Sequence, residues 1–349
     1  MNPAWSVILL TTLIGAGQGL FLALYTVQSY ALVGLVAQAP PAADDARLVV
    51  WGSVLALVLL GAGLFASFFH LGRPERSWRS AAMWRTSWLS REVIVLPAFM
   101  GALAVYGALH AFGIRPVIFT TEGGLAIDLT LAAGTVAALL AFALFVCTGM
   151  IYACLRFLAE WHTPLTPLNF VLMGAASGFT LAAALAAAMA PARVPLLAGW
   201  ALVLTALAFI GRSAALARNA RLKPRSTIQS AIGVKHPRIV QRSAGFMGSS
   251  FNTREFFHRA RPAVLRAVKP AFIVLAFALP LVLLAAARAA GMSGMAAGGG
   301  GSAQAAQGSS AAPLLMLAFA AQFAGLLAER WFFFAQARHP QNLYYQAVS

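Results

Sequence analysis

Apolar residues run through this chain in long unbroken blocks. Eight stretches are long enough to cross a bilayer: Trp5–Val36, Leu48–Phe69, Val93–Phe112, Ala126–Phe157, Leu168–Ala190, Leu196–Leu216, Pro270–Ala290 and Pro313–Phe334. A helix needs about 20 mostly apolar residues to span hydrocarbon about 30 Å thick. The blocks are continuously apolar rather than alternating, which excludes a strand barrel. The pattern predicts an all-α integral membrane protein, a bundle of eight transmembrane helices forming a single membrane domain over 1–349. Between the blocks lie a long basic segment, 217–269, and a Gly/Ala/Ser-rich stretch, 291–312, that reads as a flexible outer linker. The first residues, MNPAWSVILL, lack the basic start and cleavage site of a signal peptide, so they read as a retained first span.

Composition narrows the class. Of 349 residues, 60% are apolar and only 10% are charged, and mean hydropathy is +0.79. A water-soluble globule of this size could not hide so much apolar surface. The chain is nevertheless basic, with 25 Lys and Arg against 9 Asp and Glu. When the eight blocks are threaded alternately through a membrane, 21 of those 25 fall on one side, while the acidic residues divide five to four. By the positive-inside rule that side is cytoplasmic, and both termini lie there. The basic excess is a topology signal, so no nucleic-acid partner is implied.

The candidate chemistry is sparse. None of the six histidines lies near the centre of a block, which disfavours haem held between helices. Cys147 and Cys154 are too few for a zinc or iron–sulfur site. Gly15, Gly17 and Gly19 spell GxGxG, but mid-span, which points to close helix packing rather than nucleotide binding. Thr11, Gly15, Gln18, Leu22, Tyr25 and Ser29 share one helical face. That face should look into the bundle, either to make interhelical hydrogen bonds or to wall a polar cavity. Ionisable residues are essentially absent from mid-span, with Asp128 at a span end, which argues against a transporter.

The densest chemistry is HLGRPERSWRSAAMWRTSWLSRE, His70–Glu92, joining the second and third blocks. Its tryptophans suit the headgroup level and its arginines suit phosphates or a protein partner. His70 and Glu92 stand at its two membrane ends, where a short connection brings them together as a proton-accepting pair. Each also has a plain explanation, as an interfacial histidine and as an acid favoured by a helix N-terminus. The long segment interleaves Phe246, Met247, Phe251, Phe256 and Phe257 with basic residues. This favours docking to a protein over simple attraction to anionic lipid.

HLGRPERSWR, WRTSWLSRE, YACLRFLAEWHTPLTP and ERWFFFAQARHPQNLYY resemble the membrane anchor subunit of dimethyl sulfoxide reductase, the DmsC family. KHPRIVQRSAGFMGSSFNTREFFH is similar to the membrane subunit of cytoplasm-facing sulfite-oxidising complexes within it. The resemblance implies a haem-free, quinone-binding anchor in a bacterial inner membrane. It also implies two partners, a molybdenum bis-pterin catalytic subunit with an iron–sulfur cluster and a four-cluster iron–sulfur subunit. Carried over, His70 and Glu92 match family positions tied to the quinone site, and Gly72, Arg76 and Ser80 lie in the same signature. Arg73 joins them by its charge and proximity. The expected function is transfer of electrons from sulfite oxidation to ubiquinone or menaquinone. A reductase-type anchor oxidising menaquinol and a purely structural anchor are the alternatives.

Overall fold

The computed structural model describes residues 2–32, 34, 42–122, 126–223, 227–240, 260–296 and 301–340. Eight helices in it are long and apolar enough to cross a membrane. They are α1 (Trp5–Leu32), α2 (Ala42–Ser67), α3 (Trp88–Ala111), α4 (Leu129–Ala153), α5 (Leu165–Met189) and α6 (Val194–Ala220), followed by α7 and α8. Helix α7 comprises Pro262–Ile273, a π-helical turn at Val274–Ala278, and Leu279–Ala296; α8 is Gly301–Ala335. The apolar positions Phe246, Met247, Phe251, Phe256 and Phe257 lie outside the described residues.

Helices α1 and α5 form the centre, with 72% and 83% of their apolar windows buried. Glycine makes their contact possible. A Cβ on Gly178 would sit 2.0 Å from the carbonyl carbon of Gly19, and one on Gly19 would sit 2.2 Å from the Gly174 oxygen. No side chain fits there, so the two backbones touch. Gly17, on another face of α1, meets the Ala56 carbonyl of α2 in the same way, at 3.0 Å. The GxGxG run is therefore a packing device serving two neighbours. Helix α2 also packs on α3, α3 on α4, α6 on α5, and the α7–α8 pair closes against α5 and α6.

Local chemistry sets the helix ends. Ser87 caps α3 by accepting from the Ser90 amide at 3.3 Å. Asp128 caps α4 by accepting from the Leu131 amide at 2.8 Å. Residues Ala126–Asp128, read above as the start of a span, instead form strand β2, paired antiparallel with β1 (Val117–Thr120). At the same end of the bundle, Arg193 grips Asp45 with two bonds, Nε to Oδ1 at 2.8 Å and Nη2 to Oδ2 at 2.5 Å. That pair ties the α5–α6 corner to the start of α2. In α7, Pro280 has no N–H to give the Ala276 carbonyl, and the ladder widens into the π turn just before it. Gln322 of α8 approaches the same carbonyl at 3.5 Å and donates to Thr205 of α6 at 3.0 Å. Gly325 lets α8 come this close, since a Cβ there would lie 2.2 Å from the Ala276 nitrogen.

The glycine contact is directly testable. Gly178→Ala should lower unfolding stability in detergent by about 1–3 kcal/mol, the cost of forcing a methyl into a filled contact. Gly61→Ala, whose Cβ meets nothing within 4 Å, should leave stability unchanged.

Candidate functional site

Successive antiparallel spans bring the start of α1, the end of α2, the start of α3, the end of α4, the start of α5 and the ends of α6 and α8 to one end of the bundle. This is the end that carries most of the Lys and Arg. Slightly inside it, a narrow crevice opens between α1, α3, α4, α5 and α8. Its polar lining comes from Thr11, Gln18, Glu92, Thr148, Ser177 and Arg330; Leu10, Ile14, Phe145, Phe170 and Met173 make it otherwise apolar.

Glu92 is the acidic group of this crevice. The Ser87 cap starts α3 at Trp88, which puts Glu92 one turn into the helix, turned inward and 9% exposed. Thr148 of α4 donates its hydroxyl to Glu92 Oε1. Thr148 is brought into place by the tight meeting of α4 and α5, where a Cβ on Gly149 would lie 2.4 Å from Pro167 Cα. Gln18 crosses from α1 to the Ala141 carbonyl of α4 at 2.9 Å. The polar face of α1 is thus shared between both expected uses. Thr11, Gly15 and Gln18 line the crevice, while Tyr25 pairs with Thr135 at 2.7 Å further along.

The other residues singled out in the His70–Glu92 signature lie elsewhere. His70 ends a short 3₁₀ turn after α2 and is exposed, as are Gly72, Arg73 and Arg76. Among the described residues Arg76 forms an ion pair only with Glu75, at 3.9 Å. Ser80 bonds back to the Ser77 carbonyl at 2.5 Å within the 3₁₀ helix Pro74–Met83. None of these five lines the Glu92 crevice. The segment is nonetheless anchored to α3. Arg91 donates to the carbonyls of Trp84 and Arg85 at 2.9 and 2.7 Å, and its guanidinium lies 4.2 Å from the Trp88 ring centre. His70 and Glu92 therefore occupy one end of the molecule, the first on the surface and the second beneath it.

The structure also shows charge where none was expected. Arg212 lies in α6 and is 3% exposed; Glu329 and Arg330 lie in α8 at 0% and 4%. Arg212 Nε stands 2.7 Å from Glu329 Oε1, and Arg330 Nη1 stands 3.4 Å from Glu329 Oε2. The Arg330 guanidinium covers the Phe170 ring at 3.7 Å. A second, small crevice adjoins this triad and is lined also by Glu160, Thr166 and Asn169. These charges stand toward the basic ends of their spans, beyond the reach of the expectation made for mid-span positions. The signal was present, because Glu329 and Arg330 interrupt the apolar run LLAERWFFFA and Arg212 interrupts AFIGRSAAL. What a single sequence lacks is the pairing across α6 and α8 that makes such charges tolerable.

Two comparisons bear on this arrangement. The family model described as DMSO reductase anchor subunit (DmsC) matches residues 1–285. The chain is also 53% identical over 349 residues, covering 100% of both sequences, to a protein from Allochromatium vinosum named as the C subunit of sulfite dehydrogenase. Eight apolar helices, the signature at the α2–α3 connection and these matches together place the chain in one family: it belongs to the DMSO reductase anchor subunit (DmsC) family.

Proposed function

We propose that this chain is the haem-free membrane anchor of a sulfite dehydrogenase complex and passes electrons from its partners to membrane quinone at the Glu92 crevice. The observation that carries this reading is the crevice itself. A buried carboxyl group and a buried guanidinium face one apolar slot, just beneath the basic end of the bundle. A quinone is a flat apolar ring with two carbonyl oxygens that take up protons and charge on reduction. Phe145, Phe170 and Met173 suit the ring. Glu92, ordered by Thr148, suits proton delivery to one oxygen, and Arg330 suits stabilisation of negative charge developing there. The exposed His70, Gly72, Arg73 and Arg76, with the half-buried Ser80, form a nearby rim where a headgroup or proton first meets the protein.

In this reading the partner subunits carry the molybdenum bis-pterin group and the iron–sulfur clusters and supply electrons from sulfite. The full-length relatedness to a sulfite dehydrogenase component supports sulfite as the partners' substrate. With no carrier of its own, the chain must receive electrons close to where it uses them, so partners and crevice share one end. Segment 217–269 is the proposed docking platform. That end is taken as the cytoplasmic face of a bacterial inner membrane, with both termini on it, from the distribution of Lys and Arg.

Glu92→Gln should lower sulfite-driven reduction of a short-chain quinone by the assembled complex by about 10²–10⁴-fold, the usual worth of a positioned acid or base. His70→Arg should lower it in the same assay. Reduction of ferricyanide by sulfite, which bypasses this chain, should stay at the wild-type rate in both. Normal quinone kinetics in both variants would reduce the chain to a structural anchor. The orientation has its own check. A green fluorescent protein fused to the C-terminus should fluoresce and an alkaline phosphatase fusion should be inactive; the reverse pattern places the basic end outside.

A further inference from the structure

The Arg212–Glu329–Arg330 triad has no part in the reading above beyond Arg330, yet it is the most heavily charged buried feature among the described residues. Burial of such a group does little for folding. The desolvation of the ions offsets most of their mutual attraction, and apolar side chains of the same size would serve as well. Its composition is also unbalanced. Two guanidiniums face one carboxylate, which leaves a net positive charge in surroundings that screen poorly. The Arg212 Nη2 and Asn169 Oδ1 atoms have no hydrogen-bond partner among the described residues, and both residues line the second crevice, a setting suited to water.

The two crevices adjoin: Arg330, Phe170 and Met173 line both, so Arg330 stands between the Glu92 crevice and the Glu329 crevice. The second crevice also includes Glu160, a half-buried residue of the α4–α5 connection at the basic end of the bundle. Carboxyl groups thus stand at three successive places: Glu160 toward the surface, Glu329 inside, and Glu92 at the proposed quinone slot. The charged groups along the way are Arg212 from α6 and Arg330 from α8.

We infer that Glu160, Glu329 and Glu92 form a proton path from the basic face, with Arg212 and Arg330 holding its carboxylates in place. This rests on the quinone reading of the Glu92 crevice. A Glu92 that gives its proton to a quinone oxygen is left as a carboxylate, and with it the buried set becomes two acids against two guanidiniums, electrically neutral. Arg330 therefore favours the state that follows delivery. Glu160 passes a proton to the Glu329 carboxylate, Glu329 hands it on through water to Glu92, and Glu160 takes another from solvent. One proton moves at each step and the arginines keep theirs. Two such passages supply the two protons of quinone reduction, and the path runs backward when quinol is oxidised. Glu329 and Glu160 act through Glu92 and do not touch the quinone.

The test uses the complete three-subunit complex in membrane vesicles, with sulfite as donor and decylubiquinone as acceptor. Glu160→Gln, at a half-buried site, should lower kcat about tenfold and leave KM within about twofold, at the low end of what a proton-transferring group contributes. The solvent deuterium isotope effect on kcat should rise in that variant. Glu329→Gln should show the same split more strongly, and Glu329→Asp should recover part of the rate. Sulfite-driven ferricyanide reduction should not change. If both glutamine variants keep wild-type kcat and isotope effect while Glu92→Gln is inactive, the path is wrong and the quinone site stands. If Glu92→Gln is fully active, both readings fall. A lowered rate with an unchanged isotope effect, or no rescue by Asp, would mark Glu329 as structural and overturn the path. Should Glu329→Gln fail to assemble because it leaves two buried guanidiniums unpaired, Glu160→Gln decides alone.

Discussion

The meeting of α1 and α5 backbone to backbone is the contact on which the rest of the arrangement hangs. Gly15 and Gly19 from one helix and Gly174 and Gly178 from the other remove every side chain from the crossing. In a bilayer there is no hydrophobic gain in joining two apolar helices, since lipid tails are equally apolar, so close packing has to supply the attraction. The crossing also fixes what lies on either side of it. Thr11 and Gln18 of α1 and Phe170 and Ser177 of α5 reach the first crevice, while Asn169 of α5 reaches the second and bonds the Gly211 carbonyl of α6 at 3.2 Å.

A second constraint shapes the polar groups. Lipid offers no water, so each buried donor and acceptor must find a partner within the protein. Most do so locally. Thr12, Ser177 and Thr180 bond carbonyls of their own helices at 2.8–3.0 Å. At the end opposite the crevices a compact network runs from Tyr106 to Gln28 at 2.8 Å, from Gln28 to Thr130 at 2.6 Å, and from Thr130 to Asp128 at 2.8 Å. Between that network and the crevices, Phe21, Phe99 and Phe145 fill the core. Glu92, Arg212, Glu329 and Arg330 are buried at one end, Arg193, paired with Asp45, is buried at the other, and the middle of the bundle is packed with apolar side chains. That division suits an anchor whose chemistry and partners share a face, with little in common with a carrier that moves a solute through.

Much of this was legible in the amino-acid order, and the reasons are physical. Span number and helix type follow from unbroken apolar runs, which have one stable form in lipid. The packing role of Gly15, Gly17 and Gly19 follows from their mid-span position. Glu92 stood out as half of an expected pair with His70 at the membrane edge, and in the structure its hydrogen-bond partner is Thr148. Its crevice was not legible, because its walls come from α1, α3, α4, α5 and α8, brought together by tertiary packing alone. Charge near span ends was the other blind spot. Arg212 and Arg330 were counted with the basic surface because span edges are uncertain by several residues in sequence, and only the α6–α8 contact shows them paired with Glu329. His70 and Glu92 were expected side by side from their places at two ends of one connection. The structure puts one on the surface and the other in the slot.

The central claim is that quinone is handled in the Glu92 crevice, and the most direct measurement is where a quinone sits. An azido-quinone photolysed on the assembled complex should label peptides of α1 around Thr11, α4 around Thr148 and α8 around Arg330, with excess decylubiquinone suppressing the label. Labelling confined to the opposite end, around His110 and Arg115, or spread evenly over the lipid-facing helices, would contradict the account.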